Sequence, residues 1–423
     1  MDAILLRQVR VVDKRSPWNG QVCDVRVREG RIVELAAHLP ETGQEEVVEK
    51  EGLHVSPGWV DLQCFGGEPG YPERETWDSL WRAAAAGGFT RVLLMPDLWP
   101  VTDQEPAVQA LVEATRSLPV EVMVCAALTM GMEGRDMTEM LNLAGAGAAA
   151  FSDGLNTVRD SARFTAMLEY ASMLSKPVLH RPGTPELEKG LWAAESPEAV
   201  AAGLQGVPAQ AETIGLFRDM EVGRYTGARL HLHPVTTQEA LQVARFMAPL
   251  APQVTLGTHA SYLFLDDPAP GAFDPYRLLW PPLRGREDAE ALREACRQGA
   301  IRAVASGHRP LNPEIKEHEP ALATPGMIAL ESAFAMTWTA LQPRMSLEDV
   351  VDLWALGPRE ILGLECPVVN AGQKAELTLF DPVREWVFSE QDIRSRSRNT
   401  PLIGTLLKGK PLGIVAKGCL TLP

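Results

Sequence analysis

What most constrains this chain is an alternation repeated eight times along its middle. Short apolar runs each give way to a helical pattern: 59–65 then 76–87, 91–96 then 104–117, 120–128 then 136–145, and 147–153 then 158–174. The series continues with 176–180 then 207–224, 228–235 then 236–249, 253–258 then 286–298, and 300–307 then 327–341. A helical crossover returns the chain to the end it left, so strands in such a series lie parallel. Eight is the number of parallel strands that closes a barrel. The expected fold class is therefore α/β, a (β/α)8 TIM barrel. Chemistry in such a barrel sits on the loops that leave the strands, so the residues ending each strand carry the functional question.

The two ends of the chain read differently. Residues 3–12, 22–28 and 31–36 alternate or run apolar, broken by "SPWNG" and "REGR", and the style returns in "AELTLFDP" (375–382), "EWVFS" (385–389) and 404–420. Short strands at both termini predict a composite β-sandwich of residues 1–56 plus 370–423, flanking a barrel over 57–369.

Composition narrows the function classes. A formal net charge of −15 argues against a phosphate-backbone binder and leaves small molecules or proteins as partners. The six cysteines are widely spread with no CxxC spacing, as expected of reduced structural thiols. "MDAILLRQVRVVDKRSP" has neither signal-peptide nor transit-peptide character. No apolar run approaches the roughly 20 residues of a membrane span. The expectation is a cytoplasmic protein with no nucleic-acid or membrane partner.

The first strand raises the sharpest question. In "SPGWVDLQCFGGEPGY" (56–71), Ser56-Pro57-Gly58 is turn chemistry and Trp59-Val60-Asp61-Leu62 a short buried strand. This stretch resembles the first-strand motif of dihydroorotase and its cyclic-amidohydrolase relatives. "AAAAGGFTRVLLMPDLWPV" (83–101) resembles the segment that follows it. "GAAAFSDG" (147–154), "LHLHPVTTQEAL" (230–241), "WPPLR" (280–284), "VASGHRPL" (304–311) and 395–418 fall in the family's order, so the resemblance spans essentially the whole chain. It implies reversible hydrolysis of the dihydroorotate ring amide to carbamoyl aspartate, with one or two metal ions activating a water and an aspartate shuttling a proton.

Carried over position by position, that machinery is largely missing. The family's first metal pair, His-x-His, falls on Gln63 and Phe65. A glutamine amide is a feeble zinc ligand and a phenyl ring is none. The carboxylate position falls on Asp153 and the next histidine on His180, while the histidine after strand six falls on Pro234. The catalytic aspartate falls on Gly307, with His308 and Pro310 retained beside it. On the substrate side the arginine, two asparagines and a histidine of the family fall on Gly67, Asp97, Trp280 and Leu311.

Four residues remain from which a metal site could be rebuilt: Asp153, His180, His231 and His233. Two ligands rarely suffice, since a catalytic zinc usually has three protein ligands plus water. The plainer expectation is that Asp153 and His180 are remnants hydrogen-bonded within a polar pocket. His231 and His233 alternate on one strand and so face the same side, which suits either a metal pair or a partner to nearby backbone. Cys64 points away from its two neighbours on a regular strand and reads as a buried apolar thiol. His308, without its aspartate, reads as structural. The expectation is a catalytically silent family member without a cofactor. By the resemblance it is a structural partner of aspartate carbamoyltransferase and a homodimer or larger oligomer. The alternative is a live single-metal cyclic amidohydrolase holding zinc on the four remaining residues.

Overall fold

The computed structural model describes residues 3–422 apart from 192, 197–198, 200–204, 267–273, 319–321 and 343. Its centre is a sheet of eight parallel strands in chain order: Trp59–Cys64, Phe89–Leu94, Glu121–Ala126, Ala150–Phe151, Val178–His180, Leu230–Leu232, Val254–His259 and Ile301–Ala305. They are called here the first to eighth barrel strands. Every residue of the first is buried, as a strand covered on both faces requires. The helices between them start where the side chains can cap them. Thr76 and Ser79 form a capping box at Trp77–Ala86, and Asp160 accepts from Ala162 and Arg163 at the head of Ser161–Met173.

The first and eighth strands meet at the top of the barrel, so the ring is nearly closed. The Phe65 N–H donates to the His308 carbonyl at 2.8 Å. Lower down a side chain replaces the ladder: the Asp61 carboxylate accepts from the Ser306 N–H at 2.7 Å and from its hydroxyl at 2.5 Å.

Several elements are shorter than their patterns suggest, among them the sixth strand, Leu230–Leu232, and in two cases the hydrogen bonds show why. The fourth strand ladder is only Ala150–Phe151, and just beyond it the Asp153 side chain takes the Leu128 and Thr129 N–H groups. The last expected helix begins at Ala333 instead of 327. Ile328 N–H is spent on the Asn399 carbonyl and Ala329 N–H on His308 Nδ1, so no helical turn forms there.

The terminal strands make a second sheet of eight, in which Ala3–Val11 pairs with Val22–Arg28 on one edge and with Glu45–Glu49 and His54–Pro57 on the other. Antiparallel pairing of His54–Pro57 with Leu377–Val387 joins the two ends of the chain. Ile4, Val25, Val55, Leu377 and Val415 belong to its own core. The sheet meets the barrel at Trp59, whose ring centre lies 5.2 Å from that of Phe380, and at Glu376, which pairs with Arg91 and Arg359. Among the described residues no helix is long and apolar enough to cross a membrane.

Candidate active site

The strand ends converge at the mouth of the barrel, above a cavity of about 980 Å3 whose lining includes Asp97, Asp153, Arg181, Trp280 and Arg309. His180 ends the fifth strand and is fully buried, but both of its nitrogens are engaged. The Val158 N–H donates to Nε2 at 3.1 Å, which fixes the tautomer, and Nδ1–H donates to Asp219 at 3.0 Å. A metal needs an imidazole lone pair, and the one His180 has is already accepting the hydrogen bond of the Val158 N–H.

Asp153 is similarly committed. Its carboxylate accepts from the Leu128 and Thr129 N–H groups, both at 2.9 Å, and from the Thr129 hydroxyl at 2.6 Å. Burial nevertheless pushes its pKa up, against the pull of those hydrogen bonds.

The sixth strand brings His231 and His233 together, their rings 5.5 Å apart and nearly parallel. His231 Nδ1 meets the Thr255 hydroxyl at 2.9 Å, while its Nε2 and both nitrogens of His233 are buried with no hydrogen-bond partner among the described residues. Burial pulls the His231 pKa down to about 3 and holds His233 well below its ordinary value, so both rings are neutral at physiological pH. The partner of His231 is thus the Thr255 side chain and not the expected backbone group. Among the described residues, no group of three or more His, Cys, Asp or Glu is arranged to hold a metal ion. Asp153 and His180 are turned to other partners, so the structure does not unite the four remaining residues.

The lost ligand positions are filled. Gln63 accepts through its amide oxygen from His259 Nε2, and His259 lies edge-on to His233 with ring centres 4.7 Å apart. Phe65 is buried beneath the Arg309 guanidinium, 5.3 Å from its ring centre, and Arg309 is held by Asp97 at 3.2 Å and by the Pro325 carbonyl at 3.1 Å. Asp97 is therefore the counter-ion of Arg309. Trp280 lies 5.6 Å under the Arg181 guanidinium, which is itself clamped by Glu188 through two hydrogen bonds at 2.7 and 2.8 Å. Gly67 has no room for any side chain, since a Cβ there would sit 2.2 Å from the Glu75 carbonyl. Leu311 is buried and donates its N–H to Asn399, and Pro234 follows His233 directly at the close of the sixth strand. Cys64 is buried and its thiol pushed well up by burial, in keeping with an inert core residue. His308 accepts the Ala329 N–H at Nδ1 and faces Glu75 with Nε2 at 3.4 Å. A divalent metal at the family's positions does not fit these residues.

Reading the sequence by strand ends should have found His259, because it is the last residue of the seventh strand. The apolar run itself stops at Thr258, one residue short of it. Arg309 and Asp61 carried no such signal, since their roles depend on partners 212 and 245 residues away.

A family pattern described as dihydro-orotase-like matches residues 52–240. The dihydroorotase of Syntrophus aciditrophicus is 32% identical over 98% of this chain and 98% of its own length. The chain belongs to the dihydroorotase family. The dihydroorotase of Pelotomaculum thermopropionicum is 33% identical, again over 98% of this chain and 97% of its own. The fold is also shared with solved structures of low sequence identity. The L-hydantoinase of Arthrobacter aurescens superposes with a TM-score of 0.85 at 19% identity, covering 100% of this chain and 96% of that one. The dihydropyrimidinase of Brevibacillus agri gives 0.83 at 18%, covering 99% and 95%.

Proposed function

We propose that this dihydroorotase-family chain is catalytically silent and serves as a structural partner of aspartate carbamoyltransferase, as a homodimer or larger assembly. The observation that carries the reading is the state of the ligand positions. Gln63 and Phe65 replace the first metal pair, the His180 lone pair is taken by the Val158 N–H, and Gly307 offers no carboxylate. Groups that act as a unit lose their effect together, so each survivor is left with nothing to act upon. The partner comes from the resemblance to silent family members.

Two measurements test it. Protein incubated with excess zinc and then desalted is expected to hold far less than one zinc per chain by elemental mass spectrometry, and to show no dihydroorotate turnover above background. Mixed with the aspartate carbamoyltransferase of its own organism, it is expected to elute earlier in gel filtration than either protein alone. Separate elution sinks the assembly role.

The unpartnered nitrogens of His231 and His233 favour a second reading, a single-metal cyclic amidohydrolase with a rebuilt site. That reading requires zinc near one per chain and amide hydrolysis abolished by His180→Ala.

A further inference from the structure

The feature that neither family membership nor silence explains is why the mouth of the barrel is so tightly filled around Gly307. This residue sits at φ +64, and a Cβ built on it would lie 2.6 Å from His259 Nδ1, 2.8 Å from Cγ and 2.9 Å from Cε1. Real Cβ atoms do not approach ring atoms that closely, so either the ring moves or the side chain is excluded.

The ring has little freedom to move. Its Nε2 is tied to the Gln63 amide oxygen, and one face stacks on Tyr262 at 5.3 Å and 20°. Its remaining flank meets His233, and Tyr262 is itself anchored by its hydroxyl to the Pro281 carbonyl at 2.6 Å. His259 is only 6% exposed, so the ring is enclosed by protein on nearly every side.

We propose that His259 is a lock. It occupies the space that any side chain at position 307 would need and, through Gln63, fixes the end of the first strand. The lost groups therefore cannot be restored while it stands. The inference starts from the silent reading but makes a separate claim, about which residue maintains the present form of the centre. The wild-type chain being silent would not by itself support it.

The first test is a double-mutant cycle on Gly307→Ala and His259→Ala, read as the thermal midpoint. Alanine at a positive φ is unfavourable in either background, but the clash exists only with the imidazole present. Gly307→Ala is expected to lower the midpoint clearly more in the native background than in His259→Ala.

The second test compares Q63H/F65H/G307D with the same variant carrying H259A, by zinc content after loading and desalting. Two restored histidines and the restored aspartate would supply the three protein donors that a catalytic zinc site usually has. The triple variant is expected to stay far below one zinc per chain and the quadruple variant to approach about one. Equal zinc in the two variants, or independent midpoint shifts in the cycle, overturns the proposal. If neither multiple variant folds, the cycle alone decides. If the wild type proves to be a live zinc hydrolase, the reading above fails, while the cycle still reports on the lock.

Discussion

Glu376→Ala is expected to cost about 3–5 kcal/mol of unfolding free energy at pH 7, the usual penalty for breaking a buried ion pair from one side. Glu376 lies where the terminal sheet meets the barrel and is 4% exposed. Its carboxylate receives Arg91 through hydrogen bonds at 2.8 and 2.9 Å, the Thr90 hydroxyl at 3.0 Å, and the guanidinium of Arg359. Arg359 is fully buried, and its other acceptors are the Gly58 and Ala355 carbonyls. Truncation would thus strand one fully buried cation and one partly buried cation, leaving a hole at the junction between the two sheets.

The same residue predicts an acid limb. Burial alone would raise the Glu376 pKa, but hydrogen bonds from Arg91 and Thr90 and the charges of Arg359 and Arg91 override it, to about 2 against an ordinary 4.5. A lowered pKa means that the folded state binds the proton more weakly than the unfolded chain. The stabilisation is therefore present above pH 4.5 and lost as pH falls toward 2, a span worth about 3 kcal/mol. Urea unfolding at pH 7 and pH 3 on both proteins checks this. A loss under about 1 kcal/mol at pH 7, or an unchanged difference at pH 3, would refute it.

The barrel was legible because its information is local. Each strand is a short apolar run bounded by turn residues, each helix has its own periodicity and caps, and counting eight units decides the topology. The family resemblance, read at the strand ends, likewise pointed to Gln63, Phe65, Asp153 and His180 as the positions to examine. What stayed hidden depends on pairings between distant segments. Residues 327–332 look helical, yet their N–H groups are taken by His308 and by Asn399 from the C-terminal segment. Asp97 invites a reading as a repulsive charge facing an anion, and only the folded chain supplies Arg309 to neutralise it. That Phe65 stands where the family has a ligand is visible, but not that a guanidinium would lie over its ring. A catalogue of missing groups can be made from the sequence, whereas what fills their places is a property of the packing.

Asp61 carries the second large effect, and with the opposite sign. It is wholly buried at the seam between the first and eighth strands, accepting from both the N–H and the hydroxyl of Ser306. Burial pushes its pKa up from 3.8 to about 6, against the hydrogen bonds of Ser306 and Gln63. A raised carboxyl pKa means that the folded state holds the proton more tightly than the unfolded chain. Its contribution is complete below pH 3.8 and declines as the unfolded carboxylate ionises. By about pH 6 some 3 kcal/mol has gone. Asp61→Asn keeps the shape and the acceptor for the Ser306 N–H, and the Ser306 hydroxyl can turn to accept from the new amide. Having no proton to lose, the variant escapes the decline. Relative to wild type it should therefore gain about 3 kcal/mol between pH 4 and pH 7, as measured by urea unfolding at several pH values. This window lies mostly above that of Glu376, so the two effects can be separated in one titration. Asp61→Ala instead leaves the Ser306 donors unpaired at the seam and should cost about 1–3 kcal/mol at pH 4, where the wild-type carboxyl is protonated. Parallel pH curves for wild type and Asp61→Asn would mean that the carboxyl is not the titrating group, and that the seam is held by Ser306 in some other way.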